Sequence, residues 1–180
     1  MAGVLSLARS AAVRGRSNLL DYARLTRPQT SFVSDPARLA LWRDGNRLGK
    51  SFAVAWDIVQ RCRGTHPYLQ THRPPIRVLC VSYSIEQMEP LMGALWALLP
   101  KGEIDPRNGY DAGRGITGKP PRILFTSGPG RGSVVQFATY KAGSQRVAGG
   151  AYHYIACDEP MTESMYGELA PRILTTRGVL

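Results

Sequence analysis

Acidic residues are scarce in this sequence. Thirteen Asp and Glu stand against 23 Lys and Arg, which gives a formal net charge of +10 over 180 residues. Between residues 106 and 150 the single acid is Asp111, set among Arg107, Arg114, Lys119, Arg122, Arg131, Lys141 and Arg146. A field of that sign favours polyanions, nucleic acid foremost; the plainer reading is a solvated basic surface that aids solubility. Cysteine is scarce too. Cys62, Cys80 and Cys157 are odd in number and scattered, which argues against a disulfide framework and fits a reducing compartment. Cys62 and His66, with His72 beyond, hint at a metal spacing, but the second cysteine of a zinc site is missing. Long apolar runs are absent as well. The longest, Leu91 to Leu99, is too short to cross a bilayer, so no membrane helix is expected. No segment repeats and none is low in complexity. With 43% hydrophobic residues, the chain has the composition of one globular domain with its own core.

Residues 1–27 are rich in Ala, Ser and Arg, with no acid before Asp21. They read either as a basic arm, helical over Leu19 to Leu25, or as an organellar transit segment. From residue 28 onward, strand and helix signals alternate. Arg38 to Arg43 is a short apolar run. Phe52 to Cys62 carries Phe52, Trp56 and Val59 on one helical face. Ile76 to Val81 is a β-branched strand. Ser84-Ile85-Glu86-Gln87 resembles a capping box, and Ile85, Met88, Met92, Leu95 and Leu99 continue it as a helical stripe. Pro90 interrupts that stripe, so the helix either kinks there or begins near Glu89. Residues 101–121 read as a long loop. Arg122 to Thr126 and Ser133 to Thr139 are strands around a glycine-rich turn, Ser127 to Gly132. With no Lys-Ser and no helix after it, this turn predicts a hairpin, not a phosphate loop. Alternation of this kind predicts an α/β fold with a mainly parallel sheet and helices on both faces.

Two segments carry chemistry. In the first, Asp44-Gly45-Asn46-Arg47-Leu48-Gly49-Lys50-Ser51 lies between the run Arg38 to Arg43 and the helix from Phe52. A strand, a glycine-bearing loop ending in Gly-Lys-Ser and a helix form a nest of N–H groups for oxyanions. Gly45, Asn46, Arg47, Leu48, Gly49, Lys50 and Ser51 are the expected nucleotide contacts. Lys50 would reach the β- and γ-phosphates of ATP, and the Ser51 hydroxyl would ligate Mg²⁺. One residue departs from the pattern: Asp44 stands where the usual spacing places the first glycine. The second segment, Tyr152 to Pro160, is a mostly apolar run ending in Asp158-Glu159. A strand of this kind delivers two carboxylates at its carboxyl end, where open α/β sheets bind ligands. Asp158 suits a Mg²⁺ contact, and Glu159 suits polarising a water for attack on the γ-phosphate. Together the two motifs predict a P-loop NTPase core of the RecA-like (ASCE) type.

Gly45-Asn46-Arg47-Leu48-Gly49-Lys50-Ser51 resembles the phosphate loop of bacteriophage terminase large subunits, the DNA-packaging ATPases, in which an arginine inside the loop is typical. Pro28-Gln29 with Phe32 lies upstream, where that family carries an adenine-contacting glutamine. Ile76 to Ser82 with Ile85 to Pro100 resembles its second strand and helix. Gly143 to Gly150 before Asp158-Glu159-Pro160, and Tyr166 to Leu169 with Arg172 after it, match in order. The resemblance covers about residues 28–180 and favours the arm reading of residues 1–27. It implies an ATPase with Gln29 on adenine, Arg47 beside the γ-phosphate as a further catalytic group with Lys50 and Glu159, and one strand between the loop strand and the Asp-Glu strand. It also implies double-stranded DNA as substrate, for which the charge of the basic stretch offers Arg114, Lys119, Arg131 and Lys141 as contacts. The expected partners are a portal and procapsid, a terminase small subunit and further copies in a ring, in the host cytoplasm and away from membranes. Against that family, residues 28–180 read as an ATPase domain cut short near Gly178-Val179-Leu180, before its last strands and without the nuclease domain. Two rivals remain. One is another nucleic-acid-dependent RecA-like ATPase, such as a helicase. The other is a non-catalytic nucleic-acid-binding assembly module whose phosphate loop Asp44 has spoiled.

Overall fold

The structure is a computed structural model that describes residues 18–43, 45, 48–140, 150–159 and 161–180. Its elements are α1 (Leu19–Tyr22), α2 (Arg27–Val33), α3 (Lys50–Arg63), β1 (Arg77–Ser82), α4 (Ile85–Leu98), β2 (Tyr110–Asp111), β3 (Gly115–Ile116), β4 (Arg122–Leu124), β5 (Val134–Thr139), β6 (Tyr154–Cys157) and α5 (Glu163–Leu174). The main sheet has the order β4-β5-β1-β6. β1 runs parallel to both β5 and β6, and β4 pairs antiparallel with β5. This is an α/β fold with a mainly parallel mixed sheet, compatible with a Rossmann-like core.

β1 is buried along its length apart from Arg77, as a strand covered on both faces must be. Its even positions, Val78 and Cys80, join Val135, Phe137, Tyr154 and Ala156 in a core shared with α3 and α4. Its odd positions, Leu79 and Val81, join Ile155 under Met165 and Leu169 of α5. The period-2 alternation of the strands thus assigns each residue to one layer or the other. Leu20 is buried in the first of these cores with Ala23 and Leu25 against it, so residues 19–25 belong to the packed unit. The rest of the expected arm, residues 1–17, lies outside the described residues.

The helix expected over Phe52 to Cys62 forms and extends by two residues at its start and one at its end. It is closed by Gly64 at φ 64°, a left-handed C-terminal position that favours glycine. Of the two alternatives around Pro90, a start near Glu89 is excluded, because α4 starts at Ile85 and carries Pro90 inside. The Ser84 hydroxyl accepts from Gln87 N, Pro90 faces solvent, and the buried row Met88, Leu91, Met92 and Leu95 holds the helix through the missing bond. Residues 101–121 are not featureless either. β2 and β3 form a small hairpin because Tyr110 stacks on Trp96 and Ile116 is buried in the core. The turn between β4 and β5 is the expected hairpin.

The run Arg38 to Arg43 is the main correction, since it forms no strand: Arg38 and Leu39 lie in a bend and residues 40–43 have no regular structure. Among the described residues its backbone pairs with a short segment. Leu180 N donates to Arg38 O at 2.8 Å, and Ala40 N donates to Leu180 O at 3.2 Å. On its other side this segment pairs with β6, where Ile155 N donates to Val179 O and Val179 N to His153 O, a parallel bridge between Tyr154 and Val179. Residues 38–40 therefore sit one chain segment away from β6, held by two hydrogen bonds.

α3 is fixed against β6 by a buried ionic cluster. Arg61 Nε donates to Asp57 Oδ1 at 2.8 Å, with both side chains below a tenth exposed. The guanidinium lies 4.7 Å from the centre of the Tyr154 ring. His66 Nε2 sits 3.0 Å from the same Asp57 oxygen, off the line of a straight hydrogen bond. Its Nδ1 accepts from the backbone N–H groups of Tyr68 and Leu69, so the ring proton is on Nε2. At the same carboxyl end of the helix, Ser133 Oγ donates to Cys62 O at 2.9 Å and accepts from Ile76 N at 3.1 Å. Removing one partner of a buried ion pair leaves the other charge uncompensated. Asp57→Ala is therefore expected to lower unfolding free energy by about 3–5 kcal/mol, read from the denaturant midpoint.

Candidate functional site

The carboxyl edge of the parallel strands gathers the sequence motifs. Gly49 caps α3 in a left-handed conformation at φ 73°, which lets the loop turn directly into the helix. Lys50 and Ser51 then occupy the first turn. Across the sheet, β6 ends at Cys157 and the chain continues through Asp158, whose N–H still donates to Val81 O at 3.1 Å. Side-chain alternation along Tyr154, Ala156 and Asp158 turns Asp158 towards the α3 layer. Burial raises the Asp158 pKa, the neighbouring Glu159 carboxylate raises it further, and Lys50 pulls it back. Lys50 and Asp158, distant in sequence, thus share one electrostatic site. The Lys50 ammonium also donates to Gly45 O at 3.4 Å.

Gln29 joins them, though not with the group expected to meet adenine free to do so. It is buried, its Oε1 accepts from Thr26 N at 2.8 Å, and its Nε2 donates to Leu48 O at 3.3 Å and Gly49 O at 3.0 Å. The first bond completes a capping box on α2, and the other two tie that helix to the loop. A Cβ on Gly49 would lie 2.5 Å from Gln29 Nε2, so the glycine is needed for close approach as well as for its φ.

Asn46, Arg47, Asp44 and Lys141 lie outside the described residues, as does Pro160. Arg114, Lys119 and Arg131 are all exposed. Arg131 lies in the β4–β5 turn, whose Gly130 approaches Cys62 O at the far end of α3. It is therefore separated from Lys50 by the length of that helix, about 20 Å at 1.5 Å per residue. Arg107 is engaged by Asp105 at 2.7 Å.

Sequence reasoning missed Ser82. It ends β1 wholly buried, and its Oγ has no hydrogen-bond partner among the described residues. Leaving such a hydroxyl unpaired costs about 1–3 kcal/mol. A polar residue closing a β-branched run was the available signal. Tyr140 and Cys157 pack beside the site on the α5 face, where burial pushes the Cys157 thiol up to about 11.

Among the described residues no group of three or more His, Cys, Asp or Glu could hold a metal ion. Mg²⁺ does not require one: it is commonly held by one or two protein oxygens with phosphates and water. Asp158, raised in pKa beside a second carboxylate, together with the Ser51 hydroxyl is a donor set of that kind. A cavity of about 420 Å³ lies elsewhere, lined by Gly150, Ala151, Gly167, Glu168, Pro171, Arg172 and Thr175. It flanks the amino end of β6, and the carboxyl edge is where sheets of this class bind ligands. No helix among the described residues is long and apolar enough to cross a membrane. Comparison with family models, curated proteins and solved structures gave no match.

The raised Asp158 pKa has a stability consequence. The folded state binds that proton more tightly than the unfolded chain, so stability falls as pH rises through the carboxylate range and stays reduced above the folded pKa. Asp158→Asn is expected to raise the ligand-free melting temperature at pH 7, with the gain vanishing at pH values below the ordinary carboxylate range. Thermal scans across pH check this.

Proposed function

We propose that this chain is a P-loop ATPase core that binds Mg·ATP at the carboxyl edge of its sheet and hydrolyses it. The observation that carries the reading is the meeting of Lys50, at the start of a glycine-capped helix, with Asp158 at the end of a parallel strand. On this reading Lys50 neutralises the β- and γ-phosphates, and the N–H groups of the loop and of the first turn of α3 cradle them. Ser51 and Asp158 hold the metal, directly or through water, and the metal screens charge on the phosphate oxygens. Glu159, adjacent to Asp158, orients the attacking water and accepts its proton. Gln29 keeps the loop in shape through Leu48 and Gly49 and so sets the width of the nest.

Within that class the reading is the motor domain of a viral DNA-packaging terminase, and it rests on the resemblance of Gly45 to Ser51 and of Asp158-Glu159-Pro160. Arg47 would add a guanidinium suited to bidentate phosphate contact. The segment Val179–Leu180 lies between residues 38–40 and β6, and although neither segment is a regular strand this order of segments supports the reading. The net charge of +10 and the exposed Arg114, Lys119 and Arg131 support duplex DNA as the polymer moved. Portal, procapsid, small subunit and a ring of copies follow from the same resemblance.

Lys50→Ala is expected to weaken Mg·ATP binding about 10–100-fold, the loss of a charge-assisted bond of about 1.5–3 kcal/mol, in a calorimetric titration. Unchanged affinity would remove the phosphate-loop assignment. In the full-length protein, Glu159→Gln should bind ATP as wild type and lose about 10²-fold or more in turnover; normal turnover would move the base elsewhere. Arg47→Ala should stop hydrolysis or packaging while ATP still binds, with lysine rescuing poorly. Duplex DNA should bind without sequence preference and lose about 10³-fold or more in affinity between about 50 and 200 mM salt. Salt-insensitive binding would return the basic stretch to a role in solubility.

A further inference from the structure

Ser82 closes β1 at the carboxyl edge with its hydrogen-bonding capacity unspent among the described residues. It is 0% exposed, and its hydroxyl meets no partner among the described residues. The register places it beside Thr139 of β5. On the other side Val81 pairs with Cys157, so the next rung sets Ser82 against Asp158. Alternation puts Val78 and Cys80 in the α3 layer and therefore turns Ser82 to the same face, the face Asp158 shares with Lys50. Neighbouring strands lie about 4.8 Å apart, so a change of side-chain rotamer spans the gap between the Ser82 hydroxyl and the Asp158 carboxylate.

In the ligand-free protein Lys50 offsets part of the charge at Asp158. A bound triphosphate would draw that ammonium to its own oxygens and leave the half-buried carboxylate in need of another donor. A serine hydroxyl offers one O–H. We propose that Ser82 is a positioning residue for Asp158: when Lys50 transfers to the phosphates, the Ser82 hydroxyl donates to the Asp158 carboxylate and holds it in the orientation that receives Mg²⁺. This rests on the reading of the site as a Mg·ATP site.

The test compares Ser82→Ala, Ser82→Thr, Asp158→Asn and the double variant Ser82→Ala/Asp158→Asn, in the whole chain, titrated with ATP in Mg²⁺ and in EDTA. Ser82→Ala should weaken Mg·ATP binding about tenfold, the size of one ordinary hydrogen bond, with affinity in EDTA unchanged. Its ligand-free melting temperature should be equal to wild type or higher, because the lost hydroxyl was unpaired. Ser82→Thr, which keeps the hydroxyl, should restore most of the Mg²⁺-dependent affinity. In the Asp158→Asn background, removing the Ser82 hydroxyl should change nothing further. Wild-type affinity in Ser82→Ala overturns this inference and leaves the nucleotide site standing. A lower ligand-free melting temperature with equal losses in Mg²⁺ and EDTA, or an undiminished effect in the double variant, assigns Ser82 a packing or direct phosphate role and overturns it too. If wild type binds ATP under neither condition, the nucleotide reading itself falls.

Discussion

Asp57 lies two turns into α3, in the layer between that helix and the sheet, where a lone carboxylate would be expensive to bury. Its partners decide what the helix can do. Arg61, one turn further on, supplies the countercharge and at the same time covers the ring of Tyr154. Burial and the Asp57 carboxylate keep that phenol neutral, well above its usual pKa. A buried pair of this kind adds little net stability compared with apolar side chains. Its effect is positional, because any rotation or slide of α3 would leave a guanidinium or a carboxylate unpaired in the core. Lys50 is the first residue of that helix and Asp158 follows the strand that carries Tyr154. The distance between the two motifs is set by a contact that belongs to neither.

The same arrangement explains why charge is poorly balanced at the carboxyl edge. Asp158 and Glu159 are adjacent in sequence and partly shielded from water, and Lys50 offsets the Asp158 charge only in part. A surface that needed nothing would pair such groups or expose them. On the proposed reading the imbalance is relieved by what binds: a divalent cation meets the carboxylates and the phosphates take the ammonium. The fold bears the cost through α3 and β6, which are fixed far from the edge by Asp57, Arg61 and Ser133.

Much of this framework was legible in the sequence. β1 and β5 announce themselves as short apolar runs rich in branched residues, β6 as a mostly apolar run ending in two acids, and α3 as an apolar helical stripe. Lys50 and Asp158 could be paired in advance because a glycine-capped helix and a strand ending in acids are local patterns. What stayed hidden depends on partners remote in sequence. Arg38 to Arg43 has the composition of a strand, but strand geometry needs a ladder, and two residues supply too little of one. Asp57 and Arg61 look like an exposed i,i+4 pair until Tyr154 and His66 are folded over them. For Gln29 the resemblance implies a base contact, and the bonds of its amide to the carbonyls of Leu48 and Gly49 could not be read from local sequence. Ser82 shows locally only as a polar residue closing a β-branched run, and nothing there marks its hydroxyl as lacking a partner.

The hydrogen bonds between Leu180 and residues 38–40 set an order of events during synthesis. Residues 38–40 emerge early, yet the backbone that seats them beside β6 is made only when residue 180 has been added. Contacts of such sequence separation form late, since the intervening chain must first be ordered. Until then the loop before Lys50 is held by α3 on one side and by Gln29 on the other. A nascent chain can thus complete β1, α4 and β5 with the segment before Lys50 still undocked.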